Sequence, residues 1–222
     1  MNDPVRNETG EPFDPHMKEL LLRAERAESR DEGAGRHIER VQLFCKLISL
    51  HLSTLPRYAR NISGDFIENI YGAAPLHDIG KAEIDDRILL KPGRLTPDEF
   101  EVMKTHTTIG WRTIEAVRPK TSHNLLSTMG MSIARYHHEK WDGSGYPAKL
   151  AEEGIPLEAR IMAIADVYDV LRSRRVYKEP YSHQKSVDII VAGKGTHFDP
   201  AMVDAFVGIQ NTLDMVYAWI ED

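Results

Sequence analysis

The stretch GDFIENIYGAAPLHDIGKAEI, residues 64–84, decides the fold. It reads as a helix broken near Pro75, then a second short helix or turn carrying His77 and Asp78, with Lys81 one turn on. Neighbouring helical positions differ by about 100°. His77 and Asp78 therefore flank one edge, and Lys81, at i+4 and i+3, shares their face. A base, an acid and a cation this close among small residues admit two readings. One is a helix end with surface polar groups. The other is a metal site with a cation aimed at an anionic substrate.

Outward from this stretch the chain keeps a helical period. Towards the N-terminus, Ile38, Val41, Phe44, Cys45, Ile48 and Leu52 form an apolar stripe at helical spacing over residues 37–55. His37 opens that helix and Pro56 stops it. Residues 17–30 read as a further helix, charged on one side, and 31–36 as a break. Towards the C-terminus, Thr96, Pro97 and Glu99 take the N-cap, N1 and N3 positions of a helix expected to run through His106. Residues 124–141 read as a helix that repeats the paired device with His137 and His138. A glycine-rich loop follows at 142–156, then an apolar helix at 157–175 and two more helices to the end. Sustained strand alternation is lacking, so the expectation is an all-α domain.

The chain has 222 residues, 41% hydrophobic and 28% charged, enough for one domain and a short arm. Residues 1–16, with Pro4, Gly10, Pro12 and Pro15, read as a flexible arm, and 17–222 as the domain. No apolar run approaches the ~18 residues that span a bilayer, and the N-terminus lacks an apolar signal core. A cytoplasmic protein with no membrane partner is therefore expected. Cys45, alone, excludes an internal disulfide and a multi-cysteine zinc site and reads as a core residue. The net charge of -6 argues against nonspecific nucleic-acid binding. It leaves room for a small phosphorylated substrate, because a metal centre supplies positive charge locally.

Five of the 10 histidines fall in dense polar clusters: His37, His77, His106, His137 and His138. His16, His51, His123, His183 and His197 read as ordinary core or surface groups. Asp166 sits in an apolar helix, where an unpaired carboxylate is costly, so it pairs with a cation or binds a metal. Asp169, at i+3, reads as a group that orients a ligand. Glu139 reads equally as such a partner or as a solvated charge. Trp141 and Tyr146 fit stacking on a guanine or packing under the glycine loop. Arg172 and Arg174 fit phosphate contacts or, more simply, an exposed cation-rich helix end. Two metals bridged by a carboxylate and a water suit phosphodiester hydrolysis. Imidazole with carboxylate suits iron or manganese, and also zinc.

The ordered series HDIGKAEIDDRILLKPGRLTPDEFEVMKTH, HHEKWDGSGYP, RIMAIADVYDVL, RRVYK and GTHFDP resembles the HD-GYP family, phosphodiesterases of the bacterial messenger cyclic di-GMP. The resemblance covers roughly residues 30–205 and implies an HD-domain helical bundle with C-terminal HD-GYP helices. It implies that His37, His77, Asp78, His106, His137, His138 and Asp166 hold two divalent ions, with Asp78 bridging. Iron or manganese is favoured, with zinc, nickel and magnesium as further candidates. Asp78 and Lys81 then take catalytic roles around a bridging hydroxide, with pGpG or GMP as product. Lys81, Tyr146, Arg175 and Lys178 hold the substrate. The loop at Gly145, Tyr146 and Pro147 is implicated in docking a diguanylate cyclase (GGDEF protein), and a homodimer is also open.

The chain departs from the family pattern at three places. Gly33 stands where three-metal members carry glutamate, which favours two ions over three. Arg172 replaces a threonine, and Val176 replaces a proline. A weakly catalytic nucleotide-binding or adaptor module therefore stays open, as does an HD phosphohydrolase for another cyclic dinucleotide. A di-iron oxygenase is a more distant alternative.

Overall fold

The structure, a computed structural model, describes residues 15–30, 36–117, 124–174 and 179–220. The described residues form ten α-helices: α1 Pro15–Glu28, α2 His37–Ser53, α3 Gly64–Ala73, α4 Asp86–Leu89, α5 Pro97–Lys104, α6 His106–Val117, α7 Leu125–Tyr136, α8 Leu157–Arg172, α9 His183–Ala192 and α10 Pro200–Trp219. Among them there is no strand, only an isolated bridge between Lys194 and Phe198. The all-α expectation holds. No described helix is long and apolar enough to cross a membrane.

Local chemistry sets where the helices start. Ser63, Asn124 and Ser182 each accept a backbone N–H three residues on, satisfying a donor the helix cannot. Thr96 and Glu99 form the expected capping box, with Pro97 in the first turn. The α2 stripe is buried as its spacing predicts and forms the centre of the main core with α3, α7, α8, α9 and α10. Cys45 lies in that core, its Sγ 3.7 Å from Met162 Sδ. Helix α1 buries Met17, Leu20 and Ala24 in a second cluster with Leu76, Ile79, Ile114 and Ala134. The arm expected at 1–16 lies, apart from Pro15 and His16, outside the described residues.

Two helix expectations need correction, and the short helix or turn expected at His77 and Asp78 takes a definite form; all three concern the site. The His77–Lys81 stretch is not α-helical: two 3₁₀ helices, Ala74–Leu76 and Ile79–Glu83, flank a turn. Three residues per turn then place Lys81 directly over Asp78. The helix from Pro97 does not continue through His106. It ends at Lys104, and the Thr105 hydroxyl bonds back to the Val102 carbonyl at 2.6 Å, so His106 opens α6. Helix α7 stops at Tyr136, so His137 and His138 lie beyond its end rather than on it.

Gly80 explains how the turn meets α6. A Cβ there would lie 2.0 Å from the His106 carbonyl oxygen and 2.6 Å from the Gly110 nitrogen. Only glycine lets the two backbones approach this closely, and the approach brings Asp78 beside His106.

Candidate metal centre

Three of the clustered histidines follow helix ends. There each imidazole turns its Nδ1–H back onto a carbonyl of the preceding turn, one that also accepts a backbone N–H. His77 donates to Ala74 O at 2.9 Å, His106 to Met103 O at 2.7 Å and His137 to Ile133 O at 2.9 Å. His37 donates its Nδ1–H to Asp169 Oδ2 at 2.7 Å. Every acceptor is an oxygen without a proton, so the neutral ring keeps its lone pair on Nε2. This arrangement orients imidazoles as metal ligands.

The Nε2 side of these rings faces one interior. Asp78, His106, His137 and His138 offer donor atoms within 4.8 Å of one another, and His37, His77 and Asp166 form a second such group. Asp78 spans the two. Its Oδ1 lies 3.2 Å from His106 Nε2 and 3.7 Å from His137 Nε2, while Oδ2 lies 3.3 Å from His77 Nε2. In the second group, His37 Nε2 is 3.4 Å from His77 Nε2 and 3.7 Å from Asp166 Oδ1. All seven residues that the resemblance assigned to metals are thus gathered in two adjoining sets.

The residues fit divalent cations. Asp78 Oδ1, His106 Nε2 and His137 Nε2 are buried and make no hydrogen bond among the described residues, a costly state unless a cation completes them. Burial pushes His106 down to about 4. Burial, with His137 and His106 beside it, also holds His138 well below its ordinary value. Both rings are therefore neutral donors at pH 7. Burial opposes charge on His77, but Asp78 outweighs it and lifts that ring to about 9. Burial would raise Asp78; Lys81 and His77 hold it well below the usual carboxylate range instead. A cation drawn to this carboxylate has no proton to displace from it.

Lys81 Nζ lies 2.7 Å from Asp78 Oδ2, on the carboxylate shared by both sets. The glycine-rich loop closes over the other side. Glu139, 2% exposed, accepts from Ala148 N at 2.6 Å and Leu150 N at 3.1 Å, so it is the loop's anchor rather than a solvated charge. A Cβ on Gly145 would lie 2.3 Å from Lys140 N, so the loop folds tightly on the chain just after His138. The Tyr146–Pro147 bond is cis. The Tyr146 ring lies 4.9 Å from the His138 ring and 6.1 Å from Phe100, which is 45% exposed. Lys104 Nζ lies 5.6 Å from the Tyr146 centroid. The Trp141 ring instead packs by Arg160, and the Trp141 backbone N–H donates to His197 O at 3.1 Å. Arg175 and Lys178, expected on the phosphates, lie outside the described residues, as do Gly33 and Val176.

Sequence reasoning missed several neighbours of the site. Arg40, fully buried, bonds Asp169 Oδ1 at 2.6 Å and Ser173 Oγ at 3.1 Å behind His37. A charged residue at i+3 from His37, within an apolar stripe, was the available signal. Glu28, Phe100 and Lys104 carried none. Arg172 does not line the site and is not a free helix-end cation. It bonds Asp214 at 2.6 Å and Tyr168 Oη at 2.8 Å and covers the Tyr217 ring.

Known proteins resemble this chain to differing extents. The sequence profile described as HD domain matches residues 45–202. A cyclic di-GMP phosphodiesterase of Vibrio cholerae is 46% identical over 196 residues, covering 88% of this chain and 40% of the relative. A 3′3′-cGAMP-specific phosphodiesterase 2 of the same species is 39% identical, covering 88% of this chain and 37% of the relative. The chain therefore spans less than half of either curated relative. A solved cyclic GMP-AMP specific phosphodiesterase of V. cholerae shares the fold, with a TM-score of 0.59 and 16% identity, covering 91% of this chain and 51% of that one.

Proposed function

The chain belongs to the HD domain family, and from that premise we propose that it hydrolyses cyclic di-GMP at a centre of two divalent ions, with residues 17–222 as the working domain. The observation that carries this reading is Asp78. Its two oxygens face two separate sets of inward-turned donors, 3.2 Å from His106 and 3.3 Å from His77. Relatives named as cyclic di-GMP phosphodiesterases support the substrate.

Bound divalent ions supply Lewis acidity towards phosphoryl oxygens and a water acidic enough to act as a nucleophile near neutral pH. Iron or manganese suits this mixture of imidazole and carboxylate. The protein's part is to hold His37, His77 and Asp166 on one side of Asp78, and His106, His137 and His138 on the other. The Nδ1 bonds of His37, His77, His106 and His137 fix those rings before substrate arrives, so little reorganisation accompanies binding. Lys81, over Asp78, places an ammonium where phosphoryl charge develops and can attend the departing 3′ oxygen. Tyr146, next to His138 and Phe100, offers a ring to a guanine, and Arg175 and Lys178 serve the phosphates.

The test is to purify the chain without oxygen, supply Fe(II) or Mn(II), and resolve the products of cyclic di-GMP by chromatography and mass spectrometry. Formation of pGpG or GMP is expected. Tight binding without turnover would favour an adaptor that docks a partner, such as a GGDEF protein, through the Tyr146 loop. The 3′3′-cGAMP-specific relative makes that dinucleotide the control. Turnover of it alone would move the substrate assignment.

A further inference from the structure

Glu28 ends α1, far from the sequence series that marks the site, yet it is only 8% exposed. Its Oε1 lies 3.9 Å from His37 Nε2. Two features hold it there. Met17, Leu20 and Ala24 pack α1 onto Leu76 and Ile79, which flank His77 and Asp78. Two residues past Glu28, Arg30 donates to Ala82 O at 2.8 Å and Ile84 O at 3.2 Å, and pairs with Asp86. The end of α1 is thus clamped to the segment that carries Asp78.

Around His37 Nε2 stand His77 Nε2 at 3.4 Å, Asp166 Oδ1 at 3.7 Å and Glu28 Oε1 at 3.9 Å. His37 and His77 have both committed Nδ1–H to oxygen acceptors, so each ring presents a lone pair here once an ion takes the place of a proton on Nε2. The donors of His37, His77 and Asp166 lie within 4.8 Å of one another; Glu28 stands at the edge of that set, facing His37, and among the described residues no lysine or arginine forms an ion pair with it. Such a cluster is repulsive unless a proton or a metal cation is shared within it. Ligand bonds to a divalent ion run about 2.0–2.2 Å. Two donors on one ion therefore stand at most roughly 4.4 Å apart; the three spacings from His37 Nε2 lie inside that limit, and a turn of the Glu28 side chain further inward would bring it into the mutual set of His37, His77 and Asp166.

We propose that Glu28 is a further ligand of the ion held by His37, His77 and Asp166, a carboxylate that α1 delivers from outside the core HD series. The assignment rests on the two-ion reading above. It makes this ion the more anionically held of the pair, with α1 an integral wall of the site rather than a leading linker.

The test is metal binding by the whole chain, read without any turnover. Mn(II) is titrated against a competing chelator into wild type, Glu28→Gln and Glu28→Asp, with melting curves for each. The assignment predicts that Glu28→Gln weakens one of two ions by at least about tenfold and leaves the other unchanged. Glu28→Asp, which keeps the charge on a shorter stem, falls between and covers the case that Glu28→Gln folds poorly. Wild-type affinity for both ions in Glu28→Gln would overturn the assignment alone. Equal loss of both ions with a lowered melting point would also overturn it, making Glu28 a structural residue. A wild type that holds no ion would overturn the two-ion reading itself, and this assignment with it.

Discussion

Asp169, wholly buried, accepts the Nδ1–H of His37 at 2.7 Å. The same carboxylate takes the Nε–H of Arg40 at 2.6 Å, and Arg40 reaches towards Ile220 O at 3.4 Å, at the end of α10. One side chain therefore fixes a site histidine and compensates a buried guanidinium. Asp169→Asn should fail at both tasks. It takes a carboxylate away from the buried Arg40, a loss of roughly 3–5 kcal/mol, and its single amide oxygen cannot serve both Arg40 and His37, weakening one ion by about 10–100-fold. Denaturant melts measure the first effect and chelator competition the second.

Gly145 sits where a methyl group would meet Lys140 N at 2.3 Å and the Glu139 Cα at 2.5 Å. Gly145→Ala must therefore push the loop away from His138 and carry Tyr146 with it. Both ions should stay bound, because no residue of the two donor sets lies in the loop. Turnover efficiency should fall by up to about 100-fold, the scale of a misplacement of 1 Å. Steady-state kinetics together with an ion count on the same sample decide this.

Tyr146 and Phe100 present rings beside the site. Stacking of a base on an aromatic ring is worth about 1–3 kcal/mol. Tyr146→Ala should raise KM for cyclic di-GMP roughly 5- to 150-fold, whereas Tyr146→Phe, which keeps the ring, should stay near wild type. An unchanged KM in Tyr146→Ala would remove the ring from substrate binding.

The all-α architecture was legible because apolar spacing in α2 and the Thr96–Glu99 box are local signals with local causes. The donor set was legible because its residues recur in an ordered series. What could not be read was how the rings are aimed. His106 and His137 were expected within helices, yet His106 opens a new helix and His137 caps one, each turned back onto a carbonyl of the preceding helix's last turn. Helix ends depend on hydroxyl bonds such as Thr105 to Val102, which periodicity does not register. Glu28 was invisible for another reason. Its approach depends on how α1 packs on the Leu76–Ile79 region, a tertiary event with no sequence period.

Arg172 bonds Asp214 and stacks on Tyr217 away from the two donor sets. Arg172→Thr should therefore lower stability by about 1 kcal/mol, the scale of a part-exposed ion pair with a cation–π contact. It should leave turnover unchanged. A thermal melt and a rate assay on one preparation separate the two effects, and a loss of turnover without loss of stability would place Arg172 in the reaction after all.

Removal of the ions should also cost stability, since they bind only where the donors are gathered. Saturation at about 100 times the dissociation constant adds about 2.7 kcal/mol. A melting point unchanged by chelation would mean that the donors hold nothing tightly.

The most direct measurement is the number of ions per chain, by elemental analysis and anomalous X-ray scattering on protein prepared without oxygen. Two ions are predicted, on either side of Asp78, with His106→Ala losing one, His37→Ala weakening the other and Asp78→Ala disrupting both. A wild type without ions, or an Asp78→Ala variant that keeps both with unchanged affinity, would contradict the account.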